Sequence, residues 1–463
     1  MLRIFKQYYP VRNAIFVFGE GVFIFVSVII ASWLLLGKES LGIQIWLLPK
    51  ALLITATCQI CLYYNDLYDL KVTDTYLELG IRLLQALGFS AIFLALVYFL
   101  FPQVIISEGI FIVSIVFVIV LIVTWRIGYT QILKLGLFNQ KIIILGSSDT
   151  AKEIVKGIRE KKDSGYEIAS VVTKEDWPEL PCDRDLKLVC ELSYERICDI
   201  AQQMEVKKIV VALKEKRGAL PVKELLKCRV NGIEILDGNS FHEMLSGKLI
   251  VEHINPSWLI FSHGFQKTKI QKFIKRSVDL VLSFSMLTLL SPLILIIAIA
   301  IKLDSKGPVL FSQERIGQNH KPYILHKFRS MRSDAEKETG PVWASDNDDR
   351  ITRIGHFIRK WRIDEIPQLW NVLKGEMSFV GPRPEREHFV DQLTEIIPYY
   401  GERFTVKPGL TGWAQVSYGY GASVEDAIEK LNYDLFYIKN MSILMDLMIV
   451  ARTVKTVLFG KGR

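Results

Sequence analysis

Two adjacent carboxylates, Asp364 and Glu365, stand in a stretch that is otherwise dense in arginine and lysine. Such a setting favours phosphoryl chemistry, because cations offset the charge of a phosphate while one carboxylate attacks phosphorus and the other holds Mg²⁺. The same cations relieve the repulsion between two neighbouring carboxylates. The residue types therefore predict a phosphoryl-transfer site at this pair.

Three long segments carry the acids and the basic residues. They read LFSQERIGQNHKPYILHKFRSM, DDRITRIGHFIRKWRIDEIPQLWNVLKGEMSFVGPRPE and RFTVKPGLTGWAQV. Alone, an Asp-Glu pair is usually a solvated helix face, and an arginine cluster beside a membrane often binds only anionic lipids. The pair must therefore be judged together with the elements that position it.

The first part of the chain contains four apolar stretches, each near the ~20 residues that a helix needs to cross a bilayer. They run from Ala14 to Leu36, Leu41 to Leu62, Leu83 to Phe101 and Gly109 to Tyr129. We predict a bundle of four transmembrane helices within residues 1–135, the second of which is interrupted by Pro49 and Lys50. No small-residue cleavage site follows the basic start, which indicates an uncleaved anchor. Lysine and arginine on the loops predict that both ends of the bundle face the cytoplasm.

Composition agrees with a membrane protein that has anionic partners. The 463 residues are half apolar and carry a net charge of +8, so apolar and basic residues should segregate into membrane segments and cytoplasmic surfaces. Cys58 and Cys61 form a CxxC without a nearby His, Asp or second CxxC, which predicts small buried residues and no metal site. No nucleic-acid partner is expected.

From Lys141 onward, short apolar strands alternate with polar helices, a pattern that predicts a parallel, Rossmann-like α/β domain over residues 140–240. Its first turn, from Gly146 to Ala151, keeps only the first glycine of a dinucleotide fingerprint. The second strand ends in Lys174 without a ribose-binding acid. We therefore predict a degenerate, CoA-binding-like domain with a structural or regulatory role, followed by a linker over residues 241–268.

Residues 277–301 form a further apolar stretch, with Ser291 and Pro292 in its middle. Proline removes a backbone donor and clashes with the preceding turn, so the helix should break there. Basic residues flank the stretch on both sides, which favours a re-entrant helix-break-helix over a fifth span. We predict a monotopic α/β catalytic domain over residues 269–463 that enters the membrane through this element.

Taken together, these features resemble the bacterial polyprenyl-phosphate sugar-1-phosphate transferases, large monotopic phosphoglycosyl transferases that initiate exopolysaccharide or O-antigen assembly. The resemblance implies that Asp364 is the nucleophile and Glu365 its metal-binding neighbour, and that Ser291 and Pro292 form the helix break. It assigns four basic residues to phosphate or nucleotide binding: Lys327, Arg362, Arg383 and Arg403. Two positions depart from the family pattern, Ser417 for a frequent Asn and Met441 for a frequent Trp, so the sugar is not predicted.

The resemblance also implies a two-step reaction with Mg²⁺ as cofactor. Asp364 attacks the sugar-bearing phosphate of a UDP-sugar, UMP leaves, and polyprenyl (undecaprenyl) phosphate then accepts the phosphosugar from the aspartate. One phosphoanhydride replaces another, and the chain has no GxxxxGK[ST] motif for ATP. The expected location is the bacterial inner membrane with the catalytic domain on the cytoplasmic face, in contact with membrane lipids and with a homodimer as a further candidate.

Three other functions stay open. A membrane nucleotide-sugar dehydratase or epimerase needs an intact glycine fingerprint and a helical Tyr-x-x-x-Lys pair, whereas Tyr323 and Lys327 lie in a segment that alternates like a strand. A conventional glycosyltransferase would use the segment 346–348, Asp-Asn-Asp, as a metal site, although the sequence favours an acidic loop before Asp349 and Arg350. A non-catalytic assembly scaffold would use the α/β domain as an interface.

Two elements near the end of the chain complete the prediction. Trp413 is either an interfacial anchor or a core residue. Leu435 to Leu458 is predicted as one surface helix, with apolar residues towards lipid and Lys455, Lys461 and Arg463 towards the headgroups.

Overall fold

The computed structural model divides the chain into two units, Met1–Phe241 and His242–Arg463. It describes all residues except 1, 5–6, 10, 42–45, 69–75, 107–108, 135–138, 161–163, 175–186, 191–193, 215–219, 254–263, 333–348, 420, 422 and 459–463. The acidic segment 346–348 and the basic residues Lys461 and Arg463 therefore lie outside the described residues.

The first unit begins with a short antiparallel pair of strands, β1 (Leu2–Ile4) and β2 (Gln7–Tyr9), followed by four long helices. These helices are α1 (Val11–Leu41), α2 (Leu47–Tyr64), α3 (Tyr76–Leu100) and α4 (Ile110–Lys134). Each contains a stretch long and apolar enough to cross a membrane. The prediction of four apolar helices is confirmed.

The second helix is not interrupted by Pro49 and Lys50. Helix α2 starts at Leu47, so both residues lie in its first turn, where proline removes no intrahelical hydrogen bond. The ammonium of Lys50 donates to the carbonyl oxygen of Ile105 at 2.7 Å. Cys58 is buried and Cys61 half-buried, both as free thiols, in agreement with the sequence interpretation.

A buried ion pair joins α1 to α4. Arg126 lies 2.6 Å from Glu20 and donates to the carbonyl oxygen of Leu67 at 2.8 Å. Both charged side chains are almost fully buried, a placement that requires such pairing in apolar surroundings.

The α/β part of this unit is built on one parallel five-stranded sheet in the order β5-β4-β3-β6-β7. Its strands are β3 (Gln140–Leu145), β4 (Tyr166–Thr173), β5 (Lys187–Cys190), β6 (Lys208–Val211) and β7 (Glu234–Asp237). The helices between them are α5 (Asp149–Glu160), α6 (Ile197–Gln203) and α7 (Val222–Val230), and α8 (Gly238–Ser246) follows β7. The predicted parallel α/β domain is confirmed.

The second unit is mainly helical, with two small strand pairs. Its helices are α9 (Lys269–Leu289), α10 (Ser291–Asp304), α11 (Arg353–Lys360), α12 (Gln368–Lys374), α13 (Glu387–Ile396), α14 (Trp413–Ser417), α15 (Val424–Asn440) and α16 (Ile443–Leu458). Strands β8 (Leu310–Ile316) and β9 (Pro322–Phe328) pair antiparallel, and β10 (Ser378–Val380) and β11 (Gly409–Thr411) pair parallel. The main core lies between β10, α13, α15 and α16.

Helices α9 and α10 form one apolar element with a break at Leu290, where the chain direction changes by 61°. Pro292 stands in the first turn of α10, and the hydroxyl of Ser291 donates to the carbonyl oxygen of Thr288 at 2.8 Å. The helical element extends from Lys269 to Asp304 and is thus longer than the apolar stretch 277–301.

The prediction of a single surface helix from Leu435 to Leu458 is wrong. Helix α15 ends at Asn440, and its last turns, including Leu435 and Tyr437, are fully buried in the core. A new helix, α16, starts at Ile443 and exposes apolar residues such as Leu447. The hydroxyl of Ser442 accepts a hydrogen bond from the backbone N–H of Met445, as in a helix cap, which explains the restart.

Residues 242–253, here called the strap, belong to the second unit although they lie within the predicted linker 241–268. Leu249 and Val251 are buried in its core, and their backbone N–H groups donate to Asn432 at 3.1 and 2.8 Å. The indole of Trp413 donates to the carbonyl oxygen of Gly247 at 2.8 Å and stacks on Phe436. Trp413 is therefore a core residue and not an interfacial anchor.

Candidate active site

The acidic pair lies in a 3₁₀ turn, Ile363–Glu365, between α11 and α12, and both carboxylates are buried. Arg362 immediately before the turn has a φ of +52°. A left-handed backbone is unfavourable for residues other than glycine and persists only where the surroundings impose it. This conformation changes the direction of the chain at the end of α11 and so determines the position of the turn that carries Asp364 and Glu365.

Two arginine side chains lie against the acidic pair. Arg383 lies 3.0 Å and Arg362 lies 3.7 Å from the carboxylate oxygens of Glu365. Within the described part of the chain, no hydrogen bond or ion pair engages the carboxylate of Asp364. Glu365 is thus neutralised by arginine, whereas Asp364 keeps its oxygens available.

The electrostatic surroundings separate the two acids. Burial and the neighbouring carboxylate of Glu365 raise the pKa of Asp364. Burial acts in the same direction on Glu365, but Arg383, Lys327 and Arg362 outweigh it and lower the pKa of Glu365. Two carboxylates whose pKa values are pushed apart are typical of pairs with distinct chemical roles.

Lys327 is held beside the acids by the packing of β9 on α12. The fully buried amide of Asn371, in α12, donates to the carbonyl oxygen of Ile324 at 2.7 Å and accepts from the N–H of His326 at 3.1 Å. Burial and the nearby charge of Arg383 lower the pKa of Lys327 to about 8. Its ammonium therefore titrates close to neutral pH.

Arg383 is positioned by its backbone. A Cβ atom on Gly381 would lie 2.4 Å from the carbonyl oxygen of Lys407, so only glycine permits this approach. The N–H of Gly409 donates to the carbonyl oxygen of Pro382 at 2.8 Å. The side chain of Arg383 stays 43% exposed while it pairs with Glu365, so a ligand can reach it.

Arg403 does not lie against the acidic pair. It is buried, pairs with Asp434 at 2.9 Å, and donates to the phenol oxygen of Tyr400. Its remaining bond goes to the carbonyl oxygen of Arg383 at 3.0 Å. Arg403 therefore supports the Arg383 segment from behind, whereas the structure brings Lys327, Arg362 and Arg383 together at Glu365.

Two further arginines contribute to the site and were not predicted from the sequence. Arg359, in the last turn of α11, lowers the pKa of Asp364 electrostatically. Arg315 lies 3.7 Å from Glu385 and donates to the carbonyl oxygen of Pro384 at 3.1 Å, which supports the same segment as Arg403. Arg315 lies in the segment LFSQERIGQNHKPYILHKFRSM, which already indicated a role in the site. The sequence alone, however, does not show which of its basic side chains points towards the site.

The acidic pair offers oxygen donors of the kind that Mg²⁺ prefers. Among the described residues, no group of three or more His, Cys, Asp or Glu side chains could hold a metal. Mg²⁺ usually takes only one or two carboxylates and completes its shell with water and substrate phosphate. Asp364 and Glu365 are adjacent, and a carboxylate has about four lone-pair sites, so the arginine contact leaves Glu365 with free capacity. The residues fit a cation that is shared with a phosphate ligand.

Comparison with known proteins agrees with this site. A family model described as bacterial sugar transferase matches residues 270–460, and one described as CoA-binding domain matches residues 64–236. The chain belongs to the bacterial sugar transferase family. Over 71% of its length it is 30% identical to the UDP-glucose:undecaprenyl-phosphate glucose-1-phosphate transferase of Escherichia coli (strain K12), covering 70% of that protein.

Two further relatives match over shorter lengths. The UDP-N-acetylgalactosamine-undecaprenyl-phosphate N-acetylgalactosaminephosphotransferase of Aeromonas hydrophila is 42% identical over 51% of this chain and 55% of its own length. The undecaprenyl-phosphate glucose phosphotransferase of Komagataeibacter xylinus is 44% identical over 41% of this chain and 36% of its own. The chain thus spans about half or less of these two relatives.

Proposed function

We propose that this protein transfers a sugar-1-phosphate from a UDP-sugar to undecaprenyl phosphate and releases UMP. The observation that carries the proposal is a buried aspartate, without a hydrogen bond or ion pair among the described residues, beside a glutamate that arginine neutralises. The names of the relatives, which act on undecaprenyl phosphate, support the acceptor. The proposed location is the cytoplasmic face of the bacterial inner membrane, where UDP-sugars are available.

The first step is attack by the carboxylate of Asp364 on the sugar-bearing phosphorus. An aspartyl O–P bond forms while the phosphoanhydride bond breaks, and UMP leaves with the bond electrons. Lys327, Arg362 and Arg383 offset the negative charge that builds up around the phosphates. Glu365 would hold Mg²⁺, which when bound would supply further neutralisation of the leaving phosphate.

In the second step a phosphate oxygen of undecaprenyl phosphate attacks the same phosphorus. The aspartyl bond breaks, Asp364 leaves as a carboxylate, and the sugar is joined to the lipid through a diphosphate. The nucleophile is regenerated, so the kinetics should be ping-pong. The raised pKa of Asp364 agrees with this role, because a more basic carboxylate forms the stronger bond to phosphorus.

The apolar element formed by α9 and α10 brings the lipid acceptor to the site if this element enters and leaves the membrane on the same side. Its outward-facing residues are large and apolar: Phe273, Phe284, Leu289, Leu295 and Leu303. We expect cysteines placed at the exposed positions Lys272 and Lys306 to react with an impermeant maleimide from the same side of inner-membrane vesicles. Labelling from opposite sides would establish a fifth span and contradict re-entry.

For the α/β domain we propose a Rossmann-like fold with a structural or regulatory role. The strand order with β3 at the centre supports the fold. The residues do not fit the diphosphate of a dinucleotide, because Asp149 places a negative charge at the start of α5, where this anion would bind. In addition, β4 is followed by Lys174 and not by an acid that could bind a ribose. Isothermal titration with CoA and NAD⁺ should show no binding, and a micromolar affinity would contradict this role.

The decisive experiment measures nucleotide release. Purified protein, Mg²⁺ and undecaprenyl phosphate are incubated with a panel of UDP-sugars that starts with the glucose and N-acetylgalactosamine derivatives, the sugars in the relatives' names. We expect UMP from at least one of them. Release of UDP would indicate a conventional glycosyltransferase, and release of neither nucleotide would contradict the proposed function.

The pH dependence of kcat/KM should be bell-shaped. Burial and Glu365 raise the pKa of Asp364 to about 6, and below this value the protonated acid cannot attack. Burial and Arg383 lower the pKa of Lys327 to about 8, and above this value a phosphate-binding charge is lost. Rates of UMP release between about pH 5 and pH 9 test both limbs, since kcat/KM reports groups of the free enzyme.

Lys327→Arg provides the matched control for the alkaline limb. Arginine keeps its proton throughout this range, so the variant should lose the alkaline limb while it retains the acidic one. An unchanged alkaline limb in Lys327→Arg would show that another group controls it.

A further inference from the structure

Three charged residues in the first half of helix α9, Lys275, Arg276 and Asp279, are here called the positioning stripe. Each of the three binds backbone groups of the segments that carry the site. A polar stripe on an apolar helix has to satisfy its charges internally. The bonds it makes therefore show what it holds in place.

Arg276 holds the helix that follows the acidic turn. Its two terminal nitrogens donate to the carbonyl oxygens of Val372 and Leu373 at 2.6 and 2.7 Å. These carbonyls lie in the last turn of α12, where helices lack internal donors. Because α12 starts only three residues after Glu365, the guanidinium of Arg276 fixes the acidic turn relative to α9.

Asp279 holds the strand that leads to Arg383. Its buried carboxylate accepts from the hydroxyl of Ser378 at 2.8 Å and from the N–H of Phe379 at 3.0 Å. One turn earlier in α9, the ammonium of Lys275 donates to the carbonyl oxygen of Val380 at 3.1 Å. The two side chains together bind all three residues of β10.

Lys275 also ties this strand to the end of the chain. Its ammonium lies 2.7 Å from Asp446 and 3.1 Å from the phenol oxygen of Tyr437, which itself donates to Val380 at 3.0 Å. Arg383 follows Val380 by three residues, and the rigid Gly-Pro between them leaves little room to correct a shift of β10.

We propose that Lys275, Arg276 and Asp279 are positioning residues that set the separation between Glu365 and Arg383, so that the seating of the membrane-inserted helix fixes the geometry of phosphoryl transfer. The proposal rests on the proposed function for its catalytic consequence. Arg276 positions Glu365 through α12, and Asp279 with Lys275 positions Arg383 through β10. Glu365 and Arg383 are the two partners of the 3.0 Å ion pair. A displacement of about 1 Å at a catalytic group can cost about 10²-fold in rate.

The first test replaces Asp279 by Ala and by Asn in the full-length protein. In Asp279→Ala, kcat should fall about 10²-fold with little change in KM for the UDP-sugar, because the chemistry is misaligned while most binding groups remain. Asp279→Asn keeps an acceptor for the N–H of Phe379 and should recover kcat to within about tenfold of the wild type.

Ser283→Ala is the matched control. Ser283 is fully buried one turn further along α9, and its hydroxyl has no hydrogen-bond partner among the described residues. This variant should keep the wild-type kcat and pH profile. Equal losses in Ser283→Ala and Asp279→Ala would mean that any change in α9 damages the protein and would overturn the proposal.

Hydrogen exchange followed by mass spectrometry tests the positioning without relying on activity. In Asp279→Ala, amides of β10 and of the segment through Arg383 should exchange faster than in the wild type or Ser283→Ala, since the N–H of Phe379 loses its acceptor. Unchanged exchange would overturn the proposal, as would faster exchange with normal kcat. If Asp279→Ala exchanges faster than the wild type as expected, but the wild type releases no UMP, the proposed function is contradicted. The structural role of the positioning stripe is then still supported.

Discussion

Replacing Asp364 by Asn should lower kcat/KM for UMP release by at least about 10⁴-fold, because the amide has nearly the same shape but cannot form the phosphoryl bond. The carboxylate of Asp364 is buried and makes no hydrogen bond with another described residue, so the change removes the nucleophile without breaking a described hydrogen bond. The measurement is UMP release from the preferred UDP-sugar with undecaprenyl phosphate. UMP release within about tenfold of the wild type would show that Asp364 is not the nucleophile.

Asp391→Asn is the matched control, since Asp391 is an exposed acid on α13 in the same unit. It should leave the rate unchanged. Incubation of the wild type with the UDP-sugar in the absence of lipid should also leave a phosphosugar adduct on the peptide that contains Asp364, detectable by mass spectrometry. An adduct on any other residue would refute the assignment of the nucleophile.

Replacing Arg383 by Ala should reduce kcat/KM by about 10² to 10³-fold, the range found when one preorganised charge donor is removed from an active site. The change also removes the nearest partner of Glu365, at 3.0 Å, and leaves a buried carboxylate under-neutralised. Arg383→Lys should recover only part of the loss, because lysine restores the charge without the planar fork of the guanidinium.

Lys374→Ala serves as the control for removal of a positive charge, because Lys374 is exposed in the last turn of α12. Its rate should remain within about twofold of the wild type, as expected for a surface charge that is screened by salt. A similar loss in both variants would show that the net charge of the surface, and not the contact of Arg383 with Glu365, controls the reaction.

The sequence predicted those parts of the fold that are encoded by the local pattern of apolar and polar residues. The four apolar helices follow from length and hydropathy, and the parallel sheet follows from alternating strands and helices. Pro49 looked like an interruption because sequence does not reveal that α2 starts only two residues earlier. The division of Leu435 to Leu458 into two helices was missed because both halves are apolar, one facing the core and the other the surface.

The site was predicted to the extent that residue type alone defines it. Asp364 and Glu365 stood out as acids among cations, and Lys327, Arg362 and Arg383 are indeed gathered around them. Arg403 has the same charge and a similar motif context but is committed to Asp434, a partner 31 positions away. Such a pairing is decided by tertiary contacts, and one sequence carries no signal of it.

The strap has a practical consequence for anyone who dissects this protein into fragments. A fragment cut at Ile270, where the matched family region begins, would lack Leu249 and Val251 from the core and leave Asn432 without its two backbone donors. A fragment that begins at His242 retains these contacts and the bond between Gly247 and Trp413. The compact unit that contains the site is thus longer than the region of family similarity, and crystallisation or engineering work should keep the longer boundary.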